Sequence, residues 1–449
     1  MMYPETSPVS PNQPRGAQAQ ARALVEAMAA AEAAVANQQP ADAALSAFFR
    51  TRRHLGSRDR RLIANAVFAA FRWRGWVGSL REGGPRMLAA ASRVDSAAPL
   101  PPALQALASD LTPAVPPDAA PPDPSAAEER HALDAARCRA ERLLGRPCDI
   151  RALVPGWFGE WIAASGDPDG APLDWMIRFI ASTRVRPPLW LRALGPDSGK
   201  AAALLREHGQ SAEALDDLPG AVRVDGAAPY ETLFRPMGIR AYAQDLASQR
   251  VVRACRAKPG QRWWDACAGG GGKTLGLLDA VGPRGSVWAT DVRPASLRNL
   301  AARAASLKLP APSIRTLDAA GNAPVEEAFD GILVDAPCTG SGTWARNPDA
   351  PWRIGPGRAQ ERIPQQQAIL DRVARALHTG GRLVYATCAI GRPENDDQTV
   401  RFLRQHPDYR LESAETLWPW DGPQNGSYVA VFIRISCAVT RRPSGSGCP

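Results

Sequence analysis

The chain has 449 residues, 45% of them apolar, and a formal net charge of +9. That length suffices for two or three domains with a buried core, and no apolar run approaches the roughly 18 residues of a membrane-spanning helix. The basic balance suits a polyanionic partner such as nucleic acid, although a basic enzyme without such a partner would share it.

The positive charge is almost entirely arginine, with only four lysines at Lys200, Lys258, Lys273 and Lys308. Together with abundant Ala and Pro this reads as coding bias, and it makes each lysine conspicuous. The first 20 residues are polar and Pro-rich, without a basic stretch followed by an apolar one. They do not read as a secretory signal, so a cytoplasmic protein with free thiols is expected. The eight cysteines, Cys138, Cys148, Cys255, Cys267, Cys338, Cys388, Cys437 and Cys448, form no CxxC pair, so no metal site is expected.

In chain order, a helix is predicted over 17–37. Helices follow over 41–74, with Ala44, Leu45, Phe48 and Phe49 on one face, and Leu62, Ile63, Val67 and Phe71 on another after an N-cap at Ser57. Nine arginines fall between positions 50 and 81 against one acid before Glu82, Asp59; they suit a phosphate-binding face or a solvated one. Residues 92–125 read as a Pro/Ala-rich linker with a short helix near 103–109. Helices are predicted over 126–144 and 157–180, then strands over 188–193 and 221–224 around a helix at 198–208.

From position 242 onward apolar strands alternate with amphipathic helices. The strands are 262–265, 286–291, 313–316, 331–335 and 381–387, with helices such as 294–307 and 359–377 between them. This alternation predicts an α/β fold, a parallel sheet with helices on both faces. A helix at 394–405 and an antiparallel last strand at 427–434 complete it. The expected division is a helical domain over 1–150, a small α/β module over 151–240, the sheet domain over 241–436 and a flexible tail over 437–449.

The strand Trp263-Trp264-Asp265 runs into Ala266-Cys267-Ala268-Gly269-Gly270-Gly271-Gly272-Lys273-Thr274. Glycines there let the backbone approach a ligand at the carboxyl edge of the sheet. Asp291 ends the next strand, where an acid reaches ribose hydroxyls. A dinucleotide fingerprint would need a third glycine, and Thr274 stands in its place. A phosphate-binding P-loop matches at Gly272-Lys273-Thr274, but its first glycine falls on Cys267, while Val334-Asp335 imitates its acid-bearing strand. A third choice is S-adenosylmethionine, which needs no phosphate cradle. The loop alone leaves these open.

Two cysteines narrow the choice. Asp335-Ala336-Pro337-Cys338 ends one strand and Thr387-Cys388 ends another. A thiolate that adds at carbon 6 of cytosine makes carbon 5 nucleophilic enough to take a methyl group. The reaction needs a nucleophilic thiol, an acidic partner for the ring and a base. Cys388, Asp335 and Cys338 offer them.

These residues resemble the RNA 5-methylcytosine methyltransferases of the RsmB/Nop2/Sun family, over about 230–434. The resemblance is carried by Asp265-Ala266-Cys267-Ala268, Gly271-Gly272-Lys273-Thr274, Asp335-Ala336-Pro337-Cys338-Thr339-Gly340-Ser341-Gly342 and Thr387-Cys388. Gln244 to Gln249 and Arg346-Asn347-Pro348-Asp349 match flanking family segments. The resemblance implies a Rossmann-like sheet binding S-adenosylmethionine. It makes Cys388 the nucleophile and Cys338 the residue that assists release, with Asp335 at the cytosine edge and Lys273 in the active site. Cofactor contacts are implied for Ala266, Cys267, Ala268, Gly269, Gly270, Gly271, Gly272, Lys273, Asp291, Asp318, Asp335 and position 296. The family commonly has Ala-Pro where this chain has Gly269-Gly270, which predicts a more flexible loop, and Ala389 stands where Ser is common. The N-terminal helices resemble an RNA-binding NusB-like domain. By the same analogy 16S ribosomal RNA is the expected substrate, and a monomer is expected.

Overall fold

The computed structural model describes residues 15–107, 126–163, 172–195, 197–225, 230–318 and 329–436. The expected tail at 437–449 and the linker beyond 107 lie outside them. Two compact units result, one drawn from 1–187, 340–359 and 419–422, the other from 188–339, 360–418 and 423–449.

The first unit is helical. The helix Arg15–Ala36 buries Ala21, Leu24, Ala27, Met28, Ala31 and Val35, spaced three or four apart so that they share one stripe. The helices Ala41–Thr51 and Ser57–Arg72 bury Leu45 and Phe48, and Ile63, Val67 and Phe71. Ser57 is not the N-cap that its sequence position suggested. It is the first helical residue, and the Asp59 carboxylate accepts from Gly56 N–H at 3.2 Å, so the acid closes the first turn instead. The helix Gly84–Asp95 runs into the start of the predicted linker, because Leu88, Ala91 and Val94 extend a buried face. Segment 340–359 is integral to this unit. Trp344 packs on Phe158 with ring centroids 4.3 Å apart, Trp352 Nε1 donates to Phe71 O at 2.8 Å, and Asp349 accepts from Ala41 N–H at 3.2 Å.

The second unit begins with strands β1 (Leu189–Ala193), β2 (Ser211–Ala214), β3 (Ala221–Asp225) and β4 (Ala241–Ala243), in the antiparallel order β2-β3-β1-β4. The two strands predicted near 188–193 and 221–224 are β1 and β3, with the two short strands β2 and β4 beside them, while 151–187 falls in the first unit and not in a module over 151–240. Trp190 Nε1 donates to Pro423 O at 2.7 Å and Gln249 Nε2 to Leu191 O at 3.1 Å, which ties the module to the larger sheet.

That sheet holds β5 (Arg262–Asp265), β6 (Ser286–Asp291), β7 (Ser313–Thr316), β8 (Phe329–Asp335), β9 (Leu377–Thr387), β10 (Tyr409–Leu417) and β11 (Ser427–Arg434). Its order is β10-β11-β9-β8-β5-β6-β7. The five strands β5 to β9 are parallel, and β11 and β10 add antiparallel. Trp264 faces one core with Ile332, Val334 and Tyr385, and Trp263 faces the other with Leu275, Leu333 and Val384. Burial on both faces explains the near-continuous apolar strands. Strand order reverses between β5 and β8, and this switch point opens a crevice at the carboxyl ends where such sheets take ligands.

Candidate active site

The glycine loop leaves β5 at the switch point. Ala268 N–H donates to Thr290 O and Gly271 N–H to Ala268 O, both at 2.8 Å. Gly269 and Gly271 adopt φ of +53° and +82°, a left-handed region that L side chains disfavour. A Cβ on Gly271 would also stand 2.3 Å from Leu300 Cδ1. Tyr242 Oη and Gln244 Nε2 both donate to Gly272 O at 3.0 Å, which fixes the first turn of the helix Gly272–Val281. Thr274 Oγ1 donates to Asp265 at 2.6 Å. Burial pushes the Asp265 carboxyl up to about 7, against the pull of that hydrogen bond.

Asp291 ends β6 and accepts Gly269 N–H at 2.9 Å and Arg293 N–H at 2.8 Å. Arg293, 67% exposed, also pairs with it at 3.0 Å. Burial would raise the Asp291 carboxyl, but the Arg293 and Gly269 donors outweigh it and hold it below the usual range. Asp318 is exposed just past β7, and its charge reaches Cys267 in the loop. Position 296 is Ser296 on the helix Pro294–Ser306, and the guanidinium beside Asp291 is that of Arg293. The contact implied at 296 is that of an arginine, but the sequence has Ser296 there, and the nearest arginine before it is Arg293.

Across the crevice, Asp335 ends β8 and accepts from Lys273 Nζ at 2.6 Å. Lys273 starts the helix behind the glycine loop, so this ion pair joins the β5 and β8 sides. Burial alone would depress the Lys273 ammonium, and Asp335, by charge and hydrogen bond, more than offsets it. Cys388 acts on Lys273 in the same sense. Cys388 follows β9, and its Sγ lies 3.3 Å from Cys338 Sγ. The hydrogen bond to Cys388, with burial second, raises the Cys338 thiol well above its ordinary value, so Cys338 stays protonated.

Thus the ends of β5, β6, β8 and β9 bring Lys273, Asp291, Asp335, Cys338 and Cys388 to one edge of the sheet. Asp318 stands outermost, at the end of β7. A hollow lined by Gln261, Asp330, His378 and Thr379 lies at the opposite edge and holds none of these groups. Sequence reasoning missed Glu394 and Asn395, both fully buried. It placed Glu394 at the start of a helix, whereas the helix is Asp396–Gln405 and Glu394 closes a 3-10 turn at Arg392–Glu394. The available signal was a charged residue between Pro393 and an amide just after Cys388.

Residues 252–428 match the family model described as 16S rRNA methyltransferase RsmB/F. That segment is similar to members of the family. A probable ribosomal RNA small subunit methyltransferase B of Synechocystis is 37% identical over 183 residues, 40% of each chain. The ribosomal RNA small subunit methyltransferase B of Salmonella agona is 32% identical over 274 residues, 60% of this chain and 62% of that one. The chain thus spans 40% to 62% of the length of these RsmB relatives. The crystal structure of PH0851 shares the fold with a TM-score of 0.70 at 21% identity, over 92% of this chain and 98% of that chain. NSun6 from Pyrococcus horikoshii, solved with SFG, aligns at a TM-score of 0.55 and 15% identity, over 63% and 98%. In the RsmB/F segment lie both cysteines, Asp335, Lys273 and Asp291.

Proposed function

We propose that the chain is an S-adenosylmethionine-dependent RNA methyltransferase that acts on carbon 5 of a cytosine in 16S ribosomal RNA through a covalent cysteine intermediate. The observation that carries this reading is the pair of sulfurs 3.3 Å apart beside the Lys273–Asp335 ion pair, facing a glycine loop. The family description and the names of the RsmB relatives support ribosomal RNA as the substrate.

The loop fits the cofactor. Gly269 and Gly271 keep its surface free of side chains, and Asp291 is an ionised acid at the ribose position whose outer partner, Arg293, is exposed enough to move aside. S-Adenosylmethionine held there supplies an electrophilic methyl group for carbon 5. No triphosphate role is needed for Lys273, whose ammonium is already engaged by Asp335.

In this reading Cys388 is the nucleophile. Its Sγ bonds to carbon 6, the ring electrons move toward N3, and the proton that the Cys388 thiol gives up ends on N3. Asp335, with a side chain 32% exposed, accepts from the protonated edge of the cytosine. Release requires loss of the carbon 5 proton and cleavage of the Sγ–C6 bond: Cys338, hydrogen-bonded to the departing sulfur, gives that sulfur its proton and, as the thiolate so formed, takes the proton from carbon 5. A target cytosine must be unpaired or flipped out to reach this crevice.

The test is methylation of 16S ribosomal RNA with labelled cofactor, followed by mapping of 5-methylcytosine. Wild type should mark a discrete cytosine, and Cys388→Ala should bind the cofactor but transfer nothing. Transfer by Cys388→Ala would remove Cys388 as nucleophile.

A further inference from the structure

The hydrogen-bonded ladder between β8 and β9 ends where Ala336 N–H meets Ala386 O at 2.8 Å. Both cysteines lie two residues beyond that point, in turns that the sheet itself does not hold, yet their sulfurs are in contact. What holds the turns is a dipeptide further along the chain. The Glu394 carboxylate accepts Thr339 N–H at 2.9 Å and Thr339 Oγ1–H at 2.5 Å. It also accepts Gln366 Nε2–H at 3.1 Å, and Gln366 donates to Pro337 O at 3.0 Å. Cys338 is therefore bracketed on both sides. Asn395 does the same for Cys388. Its Oδ1 accepts Thr387 Oγ1–H at 2.6 Å and its Nδ2 donates to Ala389 O at 3.1 Å. Tyr385 Oη, from within β9, donates to Glu394 O at 2.6 Å and anchors the dipeptide to the sheet.

We propose that Glu394 and Asn395 are positioning residues that hold Cys338 and Cys388 within bonding range, and that the two-cysteine step depends on this clamp. The inference rests on the cysteine mechanism proposed above. It assigns the clamp a purpose that stability alone does not. A fully buried carboxylate costs several kcal/mol in desolvation, and an apolar side chain of similar volume would fill the space at less cost. Glu394 nevertheless sits at 0% exposure with its donors aimed at the residues flanking one cysteine. Burial raises its carboxyl, and the Thr339 and Gln366 donors pull it back.

The experiment measures cysteine spacing without RNA or cofactor. The full chain is treated with dibromobimane, which fluoresces when it bridges two nearby thiols, and peptide mapping locates the Cys338–Cys388 bridge. Glu394→Gln keeps an acceptor for Thr339 and Gln366 and should bridge like wild type. Asn395→Asp keeps Oδ1 but loses the donor to Ala389, and Glu394→Ala loses every contact; both should bridge at least about 10-fold more slowly. In the same variants kcat should fall about 100-fold, as expected when reacting groups are misplaced by an ångström, with cofactor affinity and KM for RNA within about 3-fold. If Glu394→Ala fails to fold, Asn395→Asp carries the test, with retained cofactor binding as its control. Unchanged bridging and unchanged kcat in folded Asn395→Asp would overturn the clamp. Slower bridging in the variants of a wild type that does not methylate RNA would leave the clamp standing and remove the functional reading instead.

Discussion

Asp265 shows how a single buried group makes the site sensitive to pH. Its folded value of about 7 stands above the ordinary 3.8 because burial disfavours the charge. The protonated form is therefore favoured in the folded chain. The stability this gives is fully present below about pH 4 and is lost as pH rises through 7, on the order of a few kcal/mol for a shift of this size. Asp265→Asn should remove the slope, so its unfolding midpoint should gain on wild type between pH 4 and pH 8; parallel profiles would contradict the assignment. At this scale the sequence was informative where a side chain sits at the end of a well-patterned strand. Asp291, Asp335 and Cys388 were placed at the sheet edge because β6, β8 and β9 were legible. Glu394 and Asn395 were not, because the partners that give Glu394 its meaning, Thr339 and Gln366, lie 55 and 28 residues away.

Strands β5, β6 and β7 begin and end where the apolar pattern put them. Strand β10 escaped notice because it is an edge strand with only Tyr409 and Leu417 buried, so it lacks the alternation that marks a half-buried strand. Strand β9 begins four residues earlier than expected, since His378-Thr379-Gly380 carry no apolar signal and Gly380 turns with φ +81°. The glycine loop is the element on which the cofactor reading turns. Gly271→Ala forces a left-handed φ on a residue with a Cβ and drives that Cβ into Leu300. It should cost about 1–3 kcal/mol of stability and weaken cofactor binding, read by thermal unfolding with and without S-adenosylmethionine. Unaltered stability and affinity would show that the loop has another conformation open to it.

Over the whole molecule, the +9 charge is not evenly available. In the arginine-rich stretch, Arg52 pairs with Glu26 at 2.8 Å, Arg72 with Asp95 at 2.6 Å, and Arg60 donates to Leu55 O at 2.9 Å. Arg50, Arg53, Arg58 and Arg61 are exposed. Composition alone could not sort the two sets. The exposed four are expected to contact RNA phosphates, so replacing them with Ala should flatten the dependence of log affinity on log salt by roughly 0.7 for each arginine engaged. An unchanged slope would make them a solvated face. The membership of 340–359 in the helical unit was also invisible in the sequence, because Trp344, Asp349 and Trp352 find their partners more than 150 residues away.

The two-cysteine mechanism is tested most directly by incubating the Cys338→Ala chain with S-adenosylmethionine and 16S ribosomal RNA and resolving the products on a denaturing gel. With Cys388 able to attack and release impaired, a protein–RNA adduct should accumulate and should disappear when Cys388 is also replaced. An active wild type whose Cys338→Ala variant forms no adduct would show that Cys388 is not the attacking sulfur or that Cys338 does not assist its release.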